Sequence, residues 1–86
     1  MASVAELRAA VDAALQQVTE GQAAIQAARE KLGEAQQSLA QALDGSANPE
    51  VQSAHASLSH ADQQLEECMG STAQAIEQAQ TYTANL

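Results

Sequence analysis

The 86-residue sequence contains no Trp, no Phe, a single Tyr, one Pro and one Cys. A lone cysteine excludes an intramolecular disulfide, and the shortage of aromatic side chains leaves little material for a compact core, which is marginal at this length. Four Gly and almost no runs of β-branched residues argue against a β-sheet. The composition therefore predicts an all-α chain.

Positive charge is also scarce, since the sequence has three basic and eleven acidic residues and a net charge of −8. Nucleic-acid binding requires a basic surface, and binding to an anionic membrane requires basic residues beside an apolar face. No apolar run approaches the roughly 18 residues of a membrane span, and no Sec-type signal opens the chain. We expect neither nucleic acid nor membrane as a partner, and a cytoplasmic location, with secretion without a signal peptide left open.

The large apolar residues that do occur recur every seven positions. The residues in this "large row" are Val4, Val11, Val18, Ile25, Leu32 and Leu39, followed later by Val51, Leu58, Leu65 and Thr72. Three positions after each lies a "small row": Leu7, Ala14, Gly21, Ala28, Ala35 and Ala42, then Ala54, Ala61, Cys68, Ala75 and Tyr82. A seven-residue repeat predicts helices that contact other helices in a left-handed coiled coil.

Capping signals locate two helices. Ser3 and Glu6 match the capping box and predict a helix over about residues 4–43, roughly 60 Å long. Residues 44–48 predict a turn, because they combine a glycine with an asparagine N-cap before proline. A second helix is expected over about residues 49–83.

So short a turn joins antiparallel helices, so residues 1–86 predict one domain, an Ala-rich helical hairpin. If the two helices are aligned so that the numbers of each facing pair of residues add up to 93, each large side chain lies opposite a small one. The pairs are Leu39 with Ala54, Leu32 with Ala61, Ile25 with Cys68 and Val18 with Ala75. This pairing predicts a buried Cys68 thiol, and a neighbouring backbone close to Gly21.

A third set of residues, the "flank row", lies four positions after the large row. Its members are Arg8, Leu15, Gln22, Arg29, Gln36 and Leu43 on the first helix and His55, Asp62, Met69, Ile76 and Thr83 on the second. Arg29 is expected to reach Asp62. Leu15, Met69 and Ile76 form an apolar patch, which either binds a partner, such as a second copy completing a four-helix bundle, or thickens the hairpin core.

The candidates for chemistry are His55, His60 and Cys68. Metal ligands on one helix share a face at three- or four-residue spacing, whereas the two histidines are five apart. We therefore predict no catalytic residue, no metal site and no cofactor. A two-helix seam also leaves no cavity for a small-molecule substrate. A metal-binding or redox protein remains the least favoured alternative.

An acidic hairpin of two helices resembles the WXG-type proteins of bacterial type VII secretion. Asp44-Gly45-Ser46 stands where that family has Trp-x-Gly, and Tyr82-Thr83-Ala84-Asn85-Leu86 matches its Tyr-x-x-x-Asp/Glu signal at the tyrosine alone. The resemblance implies hairpin architecture and a helical partner, with leaderless secretion as an alternative function. The function we expect is a non-enzymatic interaction module: a homo-oligomer, or a small adaptor or chaperone-like partner of a larger protein.

Overall fold

The computed structural model describes residues 2–43 and 48–86, and it contains two long helices. Helix α1 spans Val4–Ala42 and helix α2 spans Pro49–Ala84. They pack against each other as a hairpin that measures 64 × 17 × 15 Å. The predicted all-α hairpin fold is confirmed, and each helix ends within one residue of its predicted end. Apart from Asn48, the predicted turn lies outside the described residues.

Side-chain caps begin both helices at the predicted places. The Ser3 Oγ accepts a hydrogen bond from the Glu6 N–H at 3.0 Å. The Asn48 Oδ1 accepts from the Glu50 N–H at 2.8 Å, and Pro49 follows in the first turn of α2. These bonds satisfy amide groups that have no partner inside the helix, so the two caps define where α1 and α2 start.

The residues that are half-buried between the helices alternate at spacings of four and three along both helices. They are Val11, Leu15, Val18, Gln22, Ile25, Arg29, Leu32, Gln36 and Leu39 on α1, and Val51, His55, Leu58, Asp62, Leu65, Met69, Thr72, Ile76, Ala79 and Thr83 on α2. All of them belong to the large row or the flank row except Ala79, which lies seven positions after Thr72. Val4, Arg8 and Leu43 of those rows are exposed, and Leu7 and Ala61 of the small row are half-buried as well. The contact between α1 and α2 is therefore built from those two rows.

The prediction that large residues pack against the small row is wrong. Every small-row residue except Leu7 and Ala61 is exposed. Cys68, predicted to be buried opposite Ile25, is exposed as well. A Cβ atom added at Gly21 would meet nothing within 4 Å, so no neighbouring backbone of this chain lies close to it.

The physical reason is the difference in apolar area between the two candidate rows. Turning both helices about their axes brings Leu15, Met69 and Ile76 into the contact in place of alanines. Leucine, methionine and isoleucine bury far more apolar surface than alanine does. The same rotation brings the charged pair of Arg29 and Asp62 together.

The antiparallel register agrees with the predicted one. Hydrogen bonds join α1 to α2 from Gln22 to Thr72, from Arg29 to Asp62 and from Gln36 to Ser59. In each of these pairs the residue numbers add up to within two of 93. The sequence therefore predicted which parts of the helices lie side by side, but not which faces they present to each other.

Candidate interaction surfaces

An ion pair lies at the middle of the contact between the helices. The Arg29 Nε donates to the Asp62 Oδ1 at 2.9 Å, and its Nη2 donates to Oδ2 at 3.4 Å. The Glu66 carboxylate lies 3.9 Å from the same guanidinium group. The hydrogen bond from Arg29 is the main cause that lowers the pKa of Asp62, and the same bond raises the pKa of Arg29. The predicted contact between Arg29 and Asp62 is confirmed.

Polar side chains extend this contact along the same flank. The Gln22 Nε2 donates to the Thr72 Oγ1 at 3.0 Å, and the Thr72 hydroxyl donates to the Cys68 carbonyl at 2.9 Å. Nearer the turn, the Gln36 Nε2 donates to the His55 carbonyl at 3.2 Å and to the Ser59 Oγ at 3.0 Å. These bonds are directional, so they hold the register of α1 against α2 more strictly than apolar contacts do.

Leu15, Met69 and Ile76, the predicted partner contacts, are each half-buried. They lie in the flank row, which faces the other helix, and this is the position expected of residues that thicken the hairpin core. That a partner binds at these three residues stays a prediction. An interface made from them alone would have to share side chains with the contact between α1 and α2.

The candidates for chemistry are not brought together. His55 is half-buried and its carbonyl accepts from Gln36, whereas His60 and Cys68 are exposed. Within residues 2–43 and 48–86, no three His, Cys, Asp or Glu side chains are placed to hold a metal ion. A groove of about 310 Å³ at the open end, bordered by Arg8, Asp12 and Gln80, is shallow and open to solvent. Neither described helix is long and apolar enough to cross a membrane.

One broad side of the hairpin, which we call the small face, consists of the two small rows and the rows beside them. The neighbouring rows are Ala10, Gln17, Ala24, Lys31 and Ser38 on α1 and Glu50, Ser57, Gln64, Ser71 and Gln78 on α2. Both small rows point to the same side because antiparallel helices place equivalent flanks together. Sequence reasoning missed this face by placing the small rows inside the contact; the larger apolar residues of the flank row were the signal against that placement.

The small face is nearly free of charge, although the chain is strongly acidic. Glu50, at the start of α2, is its one acid among the described residues, and Lys31 is its one cation. The other described acids lie on the flank row, on the opposite broad side or at the outer edges. Their positions are Glu6, Asp12, Glu20, Glu30, Glu34, Asp62, Glu66, Glu67 and Glu77. The hairpin therefore has one acidic broad side and one that is nearly uncharged.

The fold and these surfaces define an all-α helical hairpin with an open core. No family model matches the chain, and neither a curated protein nor a solved structure matches it.

Proposed function

We propose that the protein is a non-enzymatic interaction module, a helical hairpin that completes its core by binding another helical surface. The observation that supports this proposal is the incomplete burial of the chain. None of residues 2–43 and 48–86 is buried, including every leucine, isoleucine and valine of the contact between the helices. Two helices in contact cover only one side of each other, so a further helix is needed to enclose these side chains.

The chain also exposes more surface than a compact protein of its mass. The chain exposes 6175 Å². A folded monomer of 8.9 kDa exposes roughly 4,800 Å², so the surplus is about 1,400 Å². A standard interface buries about 800 Å² on each partner, and permanent homodimers bury more. The surplus is thus the area that one stable helical interface would remove from water.

The proposed module has the left-handed coiled-coil geometry that the sequence predicts. The half-buried residues keep their alternation of four and three from Val11 to Leu39 and from Val51 to Thr83. An undistorted helix would drift by about 20° per heptad relative to such a repeat. Left-handed supercoiling removes that drift, and it suits a bundle in which every helix contacts two neighbours.

Thermal unfolding at several protein concentrations tests whether self-association stabilises the fold. When the folded state is an oligomer, the midpoint rises with protein concentration. We expect the circular dichroism signal at 222 nm to melt at higher temperature as concentration increases. A midpoint that does not move over a hundredfold range of concentration would count against self-association and favour the adaptor form of the proposal, in which a larger protein supplies the helices.

A leaderless secreted hairpin of the WXG type is a second candidate, supported by the two-helix architecture alone. Expression in a bacterium with an active type VII system tests it, with an otherwise identical strain in which that system is inactivated as the control. Secretion predicts the protein in the medium of the first strain only. Protein confined to the lysate of both strains would exclude this candidate.

A further inference from the structure

We propose that a second copy of the chain packs against the small face, so that two hairpins form a four-helix bundle. This inference rests on the proposed self-association and adds the surface through which it occurs. The small face is an unpartnered face of both helices. Its central rows are alanine, glycine and cysteine over most of their length, and the half-buried large rows border them on the inner side.

The distribution of charge favours a second copy as the occupant. In a symmetric dimer both copies contribute the same patch, so the acidic residues of that patch from both copies are gathered into one interface. With a net charge of −8 per chain, pairing through the opposite broad side would bring Asp12, Glu30 and Glu66 of both copies into one interface. The small face avoids this repulsion. A different partner that relied on charge complementarity would instead bind the acidic side.

Close approach is what the small rows make possible. Helix axes pack 8–10 Å apart, and small residues at the contact allow the shorter distance. At such a distance the exposed sides of Ile25 and Leu32 in one copy would be covered by the backbone and alanines of the other. The contact within the hairpin does not explain why small residues recur every seven positions. Close packing of a second copy would explain it. The surplus area of about 1,400 Å² per chain is enough for this interface.

Paired substitutions on α1 test the small face directly. Ala28 lies in the small row, and Ala27 beside it points to the outer edge of the hairpin; both are exposed. Ala28→Glu and Ala27→Glu introduce the same charge into the same helical turn. We expect Ala28→Glu to raise the dimer dissociation constant at least about tenfold, because a carboxylate would be buried against its symmetry mate or its neighbours. Ala27→Glu should leave the constant within about twofold of the wild type.

A second pair on α2 guards against an unrelated effect at one position. Ala75→Glu lies in the small row and should weaken the dimer, whereas Ala73→Glu, on the opposite broad side, should not. Sedimentation equilibrium measures the dissociation constants, and circular dichroism checks that each variant is helical. The inference is wrong if the wild type dimerises and Ala28→Glu and Ala75→Glu dimerise as tightly as their controls. A wild type that remains monomeric at every concentration would instead refute the self-association on which the inference rests.

The single thiol supplies an independent measurement on the unmodified protein. Cys68 lies in the small row near the middle of α2 and is exposed in the lone hairpin. We expect its reaction with a maleimide to be slow at concentrations where the dimer forms and to accelerate at least about fivefold on dilution into the monomer. Equal rates at both concentrations, with a dimer demonstrated at the higher one, would place the interface elsewhere.

Discussion

At the scale of single residues, the Arg29–Asp62 pair is the most specific contact between the helices. Both side chains are partly exposed, at 28% and 36% of their maximum, so water and salt screen their attraction. The pair is nevertheless bidentate, and this geometry orients Asp62 toward one position on α1. Its main effect is on register, and its electrostatic effect appears as a pH dependence.

Asp62→Asn should reduce stability at neutral pH and weaken its dependence on pH in the acid range. Because Arg29 lowers the pKa of Asp62 in the folded state, the carboxylate stabilises the fold above its unfolded pKa of about 4. That contribution is lost as the pH falls through the folded pKa. Urea unfolding between pH 2 and 7 measures it, with Asp12→Asn as a control of equal charge change. Identical pH profiles for the two variants would contradict the assignment.

Gly33→Ala should raise the free energy of unfolding by about 1 kcal/mol, because glycine is a poor helix former and a Cβ at this position meets nothing within 4 Å. For a chain of this size that corresponds to about 4–8 °C in the melting temperature. Gly21→Ala is the informative comparison, since Gly21 lies on the small face. If a second copy packs closely there, Gly21→Ala should raise the free energy of unfolding less than Gly33→Ala does. In a lone hairpin the two substitutions should raise it equally.

At the scale of elements, the helix ends and the helix contact were predictable to different degrees. Ser3, Asn48 and Pro49 determine where α1 and α2 begin through local bonds that the sequence specifies by itself. The register followed from the spacing of the large row. The faces that the helices turn toward each other did not follow from it. The large row can form the helix contact together with either the small row or the flank row, and its spacing is the same in both cases. Choosing between them requires comparing buried areas and charge pairs across the whole length of both helices.

The cap of α2 gives a test at this scale. Asn48→Ala removes the acceptor of the Glu50 N–H and should destabilise the protein by about 1 kcal/mol. Ser53→Ala, an exposed substitution inside α2, should be neutral or slightly stabilising, because alanine is the better helix former. In chemical unfolding, the free energy of unfolding should fall for Asn48→Ala and stay the same or rise slightly for Ser53→Ala. A neutral Asn48→Ala would mean that α2 does not depend on its side-chain cap.

The contact itself is tested by one substitution made at two positions of the large row. Val18 is half-buried between the helices, whereas Val4 is 51% exposed. Val18→Ala should cost more than Val4→Ala, by up to about 1 kcal/mol, because a larger share of the Val18 side chain is removed from water on folding. Equal effects in urea unfolding would contradict the arrangement of the two helices.

At the scale of the whole molecule, net charge opposes association even when the interface is uncharged. Two copies at −8 repel one another, and the repulsion decreases as salt shortens the Debye length from about 10 Å at 0.1 M to about 3 Å at 1 M. We therefore expect the dissociation constant, measured by sedimentation, to fall with added salt. An interface built from ion pairs between copies would show the reverse dependence.

Sedimentation equilibrium of the unmodified chain is the most direct test of the claim that the hairpin completes its core with a second copy. The claim predicts a mass that rises with concentration from the 8.9 kDa of the monomer to twice that value and then stays constant. A mass of 8.9 kDa at every concentration, in a protein that is fully helical by circular dichroism, would contradict it.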